Sequence, residues 1–223
     1  MKKTLRFDHR LHLSNQLYAY AETLSSNPSE LLKELERETH LKTLAPQMLS
    51  GTLQGQILRM VSLIQNPRRI LEIGTFTGYA TLCLADGLHQ DGELHTIEVN
   101  EELEWLIQKY IRQSEWRSSI NLHIGDAAEI IPTLDGPFDL IFLDAGKHDY
   151  ITHYELAMKK AAPKALILAD NVLWSGKVLN ENPDADTRMV LEFNAHLRQD
   201  PRVDTVLLPI RDGIMVARVR PQN

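Results

Sequence analysis

The chain has 223 residues, of which 43% are hydrophobic and 24% are charged, a composition typical of a single globular domain. Its formal net charge of −6 argues against a broad basic surface for nucleic acid, although net charge leaves a local basic patch open. The one cysteine, Cys83, excludes an intrachain disulfide and favours a cytoplasmic setting. Because Cys83 lies in an apolar run, we expect a buried hydrophobic residue rather than a nucleophile.

The start of the chain, residues 1–3, carries the positive charge of a signal peptide. The stretch that follows, residues 6–12, is charged where a signal peptide is apolar, so we predict no signal peptide. The sequence also has no apolar run of about 18 residues, so we predict no membrane span and no membrane partner.

The first third of the chain is predicted to be helical, because apolar residues recur there at helical spacing. The tetrapeptide Asn27-Pro28-Ser29-Glu30 predicts a turn into one of these helices. We interpret residues 1–66 as an N-terminal helical extension or cap and residues 67–223 as the second part of one compact domain. The spacing is carried by Leu11, Leu13, Leu17, Tyr18, Leu24, Leu31, Leu32, Leu35, Leu53, Ile57, Leu58, Val61 and Leu63.

From residue 68 onward, short apolar runs alternate with helical segments. Several runs are apolar on both faces, as the central strands of a parallel sheet are. This alternation predicts an α/β fold with helices on both faces of the sheet. The predicted strands cover residues 69–73, 93–98, 120–124, 138–143 and 165–169, and the predicted helices cover residues 77–87, 100–114 and 153–162.

The end of the chain has a different pattern. Two β-type runs, residues 203–209 and 214–219, are separated only by residues 210–213. So short a link permits a hairpin but no crossover helix, so the last pair is predicted to be antiparallel. The result is a seven-stranded sheet, mostly parallel, with a terminal antiparallel hairpin.

A glycine-containing turn follows the first predicted strand and opens a helix. Gly74 and Gly78 permit a tight turn and a close approach of the backbone to a ligand. The turn is neither G-x-G-x-x-G nor a phosphate-binding P-loop. A helix start at this place suits an anionic group such as the carboxylate of an amino-acid cofactor. A plain strand–turn–helix connection is the alternative interpretation.

Acidic residues end the next two predicted strands. Glu98 ends the second strand, where a carboxylate can accept the hydroxyl groups of a ribose; a solvated glutamate before a helix is the alternative. Asp126 follows the third strand and suits either an adenine amine or the N-cap of a helix. Because open α/β sheets bind ligands at the carboxyl ends of their strands, these sites together predict a nucleoside-containing cofactor.

Longer motifs point to a family. They are residues 71–79 (Leu-Glu-Ile-Gly-Thr-Phe-Thr-Gly-Tyr), 142–147 (Phe-Leu-Asp-Ala-Gly-Lys), 169–176 (Ala-Asp-Asn-Val-Leu-Trp-Ser-Gly), 208–213 (Leu-Pro-Ile-Arg-Asp-Gly) and the upstream segment 48–56. On these motifs, the chain resembles the metal-dependent small O-methyltransferases, the caffeoyl-CoA and catechol O-methyltransferase group. The resemblance covers roughly residues 40–220 and rests most on the Asp-Asn-Val-Leu-Trp stretch.

The resemblance implies a Rossmann-like methyltransferase fold, S-adenosylmethionine as cofactor, a divalent metal, a small hydroxylated aromatic substrate and a homodimer. The metal is expected to be Mg²⁺, with Mn²⁺ or Ca²⁺ as alternatives, held by Asp144, Asp170 and Asn171. The cofactor site is expected to comprise Met48, Ser50, Glu72, Gly74, Thr75, Tyr79, Ala80, Glu98, Asp126, Ala127 and Asp144.

This chain departs from the family pattern at two positions. The family usually has a serine after Gly-Tyr, which donates to the cofactor's carboxylate, whereas this chain has Ala80; Thr81 is a possible substitute donor. Plant members carry a second aspartate where this chain has Gly146, so a carboxylate is lost near the reacting centre. The identity of the substrate therefore does not follow from the plant enzymes.

The residues that the resemblance implies are chemically suited to metal binding and to removal of a proton from the acceptor. Hard oxygen ligands suit Mg²⁺, and two phenol oxygens bound to such an ion lose their protons more easily. Asp144 is expected to take part in catalysis through this ion. Lys147, three residues later, is expected to be the general base that removes the proton of the attacking hydroxyl. Trp174 suits either the wall of an aromatic pocket or ordinary core packing.

Three other interpretations stay open at this level. The same chemistry can act on hydroxylated uridine in tRNA, if Arg10, Lys42, Arg59, Arg68 and Arg69 form a basic patch. A nicotinamide-dependent oxidoreductase is disfavoured by the missing G-x-G-x-x-G and by the terminal hairpin. A non-catalytic cofactor-binding protein is disfavoured by the retained set of presumed catalytic and metal-binding residues.

Overall fold

The computed structural model describes residues 7–221, with side chains from residue 16 onward. Residues 1–3 and the side chains of Leu11 and Leu13 lie outside this part. The helices are α1 (Phe7–Leu24), α2 (Glu30–Lys42), α3 (Gly51–Gln65), α4 (Tyr79–Ala85), α5 (Glu104–Gln113), α6 (Ala127–Ile130), α7 (Tyr150–Met158) and α8 (Ala185–Gln199). The strands are β1 (Arg69–Ile73), β2 (Glu93–Glu98), β3 (Ile120–Ile124), β4 (Phe138–Leu143), β5 (Ala161–Ala169), β6 (Val203–Leu208) and β7 (Ile214–Val219).

The seven strands form one sheet in the order β3-β2-β1-β4-β5-β7-β6. Strands β1 to β5 pair in parallel, and β7 is antiparallel to both β5 and β6. The predicted sheet, including its terminal antiparallel hairpin, is therefore confirmed. Since β7 runs against both neighbours, β6 points the same way as the parallel strands, and its carboxyl end lies at the same edge of the sheet as theirs.

Helices cover both faces of the sheet, as predicted. Alternate residues of a strand point to opposite faces, so the neighbours Ile141 and Phe142 of β4 enter two different buried clusters. One cluster packs the sheet against α6, α7 and α8, and the other packs it against α2, α3, α4 and α5. Both residues are fully buried.

The predicted boundaries differ from the structure mainly around β5. The helix predicted to reach residue 162 ends at Met158, and β5 begins at Ala161. The alanines after Met158 have helical propensity, but here Ala161 pairs with Phe138 of β4, so strand pairing overrides local preference. Helix α8 was not predicted. The predicted turn before α2 is confirmed, because the Ser29 side chain accepts a hydrogen bond from Leu32 N at 3.3 Å.

The N-terminal helices pack directly on the sheet-covering helices. A Cβ atom on Gly55 of α3 would lie 2.7 Å from Tyr79 Cε1 and 2.9 Å from Cys83 Sγ. A Cβ atom on Gly87 would lie 2.2 Å from the backbone carbon of Ser62. These two glycines let α3 approach α4 closely and bury Cys83, as predicted for that cysteine. Within residues 7–221, none of the helices combines the length and the hydropathy that a membrane span requires.

This packing yields a stability prediction. Gly87→Ala forces a methyl group into the Ser62 backbone, so it should lower the free energy of unfolding by about 1–3 kcal/mol or more. Gly146→Ala is the matched control, because a Cβ atom there has no neighbour within 4 Å among the described residues. Urea unfolding followed by circular dichroism measures both. Equal midpoints for the two variants would contradict the close helix contact.

Candidate active site

A cavity of about 1030 Å³ opens along the carboxyl edge of the sheet. The turns after β1, β2, β3, β4 and β5 all contribute to its lining. Gly74, the first residue after β1, has a φ of 99°, and a Cβ atom there would lie 2.2 Å from the Asp144 carbonyl oxygen. A side chain at this position would therefore separate the ends of β1 and β4. The glycine keeps the floor of the cavity narrow and leaves backbone exposed to a ligand.

Glu98 lies at the β2 end of the cavity with 7% of its surface exposed. Its Oε2 accepts a hydrogen bond from Phe76 N at 2.7 Å, and its Oε1 accepts one from Asn100 N at 2.9 Å. Two backbone N–H groups thus fix the carboxylate, and each oxygen keeps a second lone pair. The Glu98 carboxylate is therefore a hydrogen-bond acceptor fixed in one orientation and not a solvated side chain.

Asp126 and Ala127 follow β3 and also line the cavity. The Asp126 carboxylate accepts a hydrogen bond from Ala128 N at 2.8 Å and caps α6, so the predicted alternative of an N-cap is confirmed. Close to this end lies His153 of α7, which was not predicted as a site residue. Its ring is 6% exposed and lines the cavity, and its Nδ1 has no hydrogen-bond partner among the described residues.

Glu72 is completely buried beneath the glycine turn and is absent from the cavity lining. Its Oε2 accepts hydrogen bonds from the hydroxyls of Thr81 and Thr96, and its Oε1 has no partner among the described residues. Burial raises the pKa of Glu72 to about 7, against the opposing effect of the two hydroxyls. Because Thr81 donates to Glu72, its hydroxyl does not replace the serine that is missing at Ala80.

The remaining predicted cofactor residues fall into two groups. Met48 is 60% exposed and lines the cavity from the loop between α2 and α3. Ser50, Thr75, Tyr79 and Ala80 are buried and are not in the lining. The Thr75 hydroxyl lies 2.5 Å from that of Thr96, and Tyr79 packs against Gly55.

The predicted metal ligands meet at the ends of β4 and β5. Asp170 is 4% exposed; its Oδ2 accepts from Gln54 Nε2 at 2.6 Å and its Oδ1 accepts from Asn171 N at 2.8 Å. Burial raises the pKa of Asp144 well above its usual range, and the nearby Asp170 carboxylate raises it further. The buried Asp170 carboxylate and the partly buried Asp144 carboxylate, which is 20% exposed, therefore lie at the ends of adjacent strands, an arrangement that favours a cation between them.

The donor set at this place fits a hard divalent cation. It offers two carboxylates and the amide oxygen of Asn171, and Gln54 fixes the orientation of Asp170 as outer-shell partners of metal ligands do. A second group of candidate metal ligands lies outside this cavity and comprises Glu155, His196 and Asp200. There the guanidinium of Arg202 already contacts Glu155 at 2.7 Å and Asp200 at 2.6 Å, so a protein cation neutralises that group.

Lys147 lies among the predicted metal ligands. Its Nζ donates to Asn171 Oδ1 at 2.8 Å and to the Tyr150 hydroxyl, and it is 3.9 Å from Asp144 Oδ1. Burial lowers the pKa of Lys147, and the charges of Asp144 and Asp170 oppose that change. The side chain is 9% exposed, so this amine is held at the site and is not a solvated loop lysine.

The turn between β6 and β7 completes the site, although no role was predicted for it. Leu173 N donates to the Asp212 carbonyl at 2.7 Å, and Val172 N donates to the Gly213 carbonyl at 3.1 Å. These bonds dock the turn onto the loop that carries Asn171 and Trp174. Trp174 lines the cavity, as do Arg211 and Asp212. Gln54, His153, Arg211 and Asp212 are thus the site residues that sequence reasoning missed.

Comparison with known proteins agrees with this geometry. Residues 22–220 match the O-methyltransferase family. The chain is 34% identical to a catechol O-methyltransferase of Niastella koreensis, over 75% of this chain and 80% of that protein. It is also 34% identical to a caffeoyl-CoA O-methyltransferase of Eucalyptus gunnii, over 92% of this chain and 88% of that protein.

A solved structure extends the comparison to the fold. The S-adenosylhomocysteine-bound methyltransferase of Podospora anserina is 26% identical, covers 100% of both chains and superposes with a TM-score of 0.87. The fold is therefore the Rossmann-like methyltransferase fold that the motifs predicted. The chain belongs to the S-adenosylmethionine-dependent O-methyltransferase family that includes the caffeoyl-CoA and catechol enzymes.

Proposed function

We propose that this protein transfers a methyl group from S-adenosylmethionine to a hydroxyl of a small aromatic substrate held by a divalent metal, most simply Mg²⁺. The observation that carries this proposal is the pair of the partly buried Asp144 and the buried Asp170 with Asn171 beside them, at the end of a cavity whose other end holds Glu98. The relatives named for catechol and caffeoyl-CoA support a hydroxylated aromatic acceptor.

The cofactor is proposed to lie along the carboxyl edge from β3 to β4. Glu98 would accept the ribose hydroxyls with the lone pairs that its backbone contacts leave free. Asp126 and Ala127 would contact the adenine, and the exposed backbone at Gly74 would face the methionine part. Glu72 is fully buried and does not line the cavity, so it would not contact the cofactor. Its role would be to hold the glycine turn in place.

The reaction joins the acceptor oxygen to the methyl carbon as the carbon–sulfur bond breaks. S-adenosylmethionine supplies the methyl group as a sulfonium, and a divalent cation at Asp144, Asp170 and Asn171 would ease ionisation of the bound hydroxyl. Lys147 would take the proton of that hydroxyl, because its amine is buried beside Asn171. Trp174 would hold the aromatic ring so that oxygen and methyl meet in line.

The other interpretations receive less support. Membership of the family overturns the nicotinamide-dependent oxidoreductase. For tRNA, two members of the supposed basic patch are already paired, Arg59 with Asp86 at 2.6 Å and Arg69 with Glu93 at 2.8 Å, and the side chain of Arg10 lies outside the described residues. A small aromatic acceptor is therefore preferred.

A homodimer and a cytoplasmic location remain predictions. Exposed apolar side chains on α1 and α3 support the dimer, because large apolar residues on a surface commonly mark an interface between chains. They are Leu17, Tyr20, Leu24, Met60, Leu63 and Ile64.

Glu98→Ala tests the ribose contact. The variant should weaken binding of S-adenosylhomocysteine by roughly 1–3 kcal/mol, because it loses a charged acceptor. Isothermal titration calorimetry measures this, and Glu101→Ala, in an exposed residue nearby, should bind like the wild type. Glu98→Gln keeps one carbonyl oxygen and should fall between the two. Unchanged affinity in a folded Glu98→Ala protein would remove the ribose assignment.

Chelation tests the metal. EDTA should abolish turnover of a catechol acceptor, and added Mg²⁺ should restore it. Asp170→Ala should lose metal-dependent activity and the heat of Mg²⁺ binding, yet still bind S-adenosylhomocysteine, because Asp170 is not among the proposed cofactor contacts. Asp186→Ala, an exposed acid on α8, serves as the control. Full activity in chelator would refute the metal mechanism.

Lys147→Ala tests the general base. The variant should lower kcat by about 10²–10⁴-fold, and cofactor affinity should change little. The loss should shrink as the pH rises, because solvent then ionises the bound hydroxyl without help. Lys147→Arg should not restore activity, since arginine stays protonated. Lys159→Ala, in an exposed lysine, is the control. A Lys147→Ala enzyme with wild-type kcat at pH 7 would leave this lysine without a role as base.

A further inference from the structure

His153 is a buried histidine at the wall of the cavity, and its ring has no hydrogen bond within residues 7–221. It lies in the first turn of α7, is 6% exposed and lines the cavity together with Asp126 and Ala127. Its Nδ1 is sealed from solvent and lacks a partner among the described residues. Its Nε2 is also without a partner there, but this nitrogen is not sealed. The open edge of the ring therefore carries Nε2 and borders the cavity.

This lack of partners distinguishes His153 from the other histidines whose side chains the structure describes. His148 is exposed, so water can pair with its ring. Buried polar groups nearly always have a hydrogen-bond partner, so a buried ring without one points to a group that binds from the cavity. The remaining described histidines each have a hydrogen-bonded ring nitrogen, and they are His40, His89, His95, His123 and His196.

The environment of the ring favours a neutral imidazole with its proton on Nε2. Burial lowers the pKa of His153, and the carboxylates of Asp149 and Asp126 oppose that change. Within the described part of the chain, neither carboxylate lies within 4.0 Å of a His153 nitrogen, so no ion pair holds the charged form. A neutral imidazole has one N–H group and one lone pair. Because buried N–H groups without an acceptor are rarer than buried acceptors without a donor, the lone pair belongs on the sealed Nδ1 and the N–H group on Nε2.

Asp126 offers the opposite hydrogen-bonding character at the same end of the cavity. Its Oδ1 accepts from Ala128 N at 2.8 Å, and its Oδ2 has no partner among the residues that the structure describes. Helix α6, which begins directly after Asp126, packs against α7, which carries His153. One carboxylate acceptor and one N–H donor therefore border this end. Adenine has the complementary pattern, because ring nitrogens that accept flank its exocyclic amine, which donates.

We propose that His153 donates a hydrogen bond from Nε2 to a ring nitrogen of the cofactor's adenine, the N1 or N7 that flanks the amine bound by Asp126. The pair would recognise the base by a donor and an acceptor held on two helices that pack together. His153 would act through cofactor binding and would take no part in the methyl transfer. This inference rests on the proposed placement of the cofactor and adds a residue to it.

The experiment removes each partner of the proposed hydrogen bond in turn. Calorimetry compares S-adenosylhomocysteine with its 1-deaza and 7-deaza analogues, in which a C–H group replaces the ring nitrogen. For the wild type, one of the two analogues should bind roughly 3- to 30-fold more weakly than S-adenosylhomocysteine. His153→Leu should weaken S-adenosylhomocysteine by a similar factor and should bind that analogue as well as it binds S-adenosylhomocysteine. With an acceptor substrate, His153→Leu should raise KM for S-adenosylmethionine and leave kcat nearly unchanged.

Two further variants test which ring nitrogen acts. His153→Gln places an amide N–H group near the position of Nε2 and should recover part of the affinity, whereas His153→Asn places one near Nδ1 and should not. This comparison also carries the test if His153→Leu does not fold, which circular dichroism checks. His148→Leu is the matched control, because His148 is an exposed histidine of the same segment and does not line the cavity.

The outcomes separate this inference from the proposed function. A loss for the 1-deaza analogue assigns the contact to N1, and a loss for the 7-deaza analogue assigns it to N7; either supports the inference. A purely structural role would weaken S-adenosylhomocysteine and both analogues equally in His153→Leu, and that result would overturn it, as would wild-type binding that is the same for all three ligands. Glu98→Ala in the same titration completes the test. A loss in that variant with none in His153→Leu overturns the role of His153 alone, and a loss in neither overturns the cofactor placement as well.

Discussion

Two neighbouring carboxylates at the ends of adjacent strands, the partly buried Asp144 and the buried Asp170, are the constraint on which this site depends. Placing like charges together in a low-dielectric region is costly unless cations or donors surround them. Residues from different parts of the chain supply these hydrogen-bond donors and cations. Gln54 donates to Asp170 from α3, and Lys147 lies near Asp144 from the loop after β4. The proposed divalent cation would complete this charge balance.

The direction of the strands explains why such distant segments meet. Parallel strands place all their carboxyl ends at one edge, and β7 turns back between β5 and β6, so β6 ends at that edge as well. The turn after β6 therefore reaches the loop that carries Asn171 and Trp174. The topology thus supplies Arg211 and Asp212 to a cavity built otherwise by the parallel strands.

The sequence predicted the sheet well because its signals are local. Apolar runs marked all seven strands, and the short link before β7 fixed the direction of that strand. The features that the sequence did not predict depend on contacts between residues far apart in the chain. The pairing of Ala161 with Phe138 converts an alanine-rich segment into strand, and only the folded chain brings it about. The same holds for the site: Asp144, Asp170 and Asn171 belong to motifs, whereas the contact of Gln54 with Asp170 joins residues 116 positions apart.

The two departures from the family pattern, Ala80 and Gly146, lie in the segments that follow β1 and β4. Ala80 offers no hydroxyl, and the hydroxyl of the adjacent Thr81 donates to Glu72, which is sealed beneath the glycine turn. The Thr81 hydroxyl therefore stabilises the buried Glu72 carboxylate, one position after the site where the family pattern has its serine. Gly146 leaves open space, since a Cβ atom there meets nothing within 4 Å in the part of the chain that the structure describes. Gly146 lines the cavity and Ala80 is buried outside its lining, so neither position offers a polar side chain to a ligand.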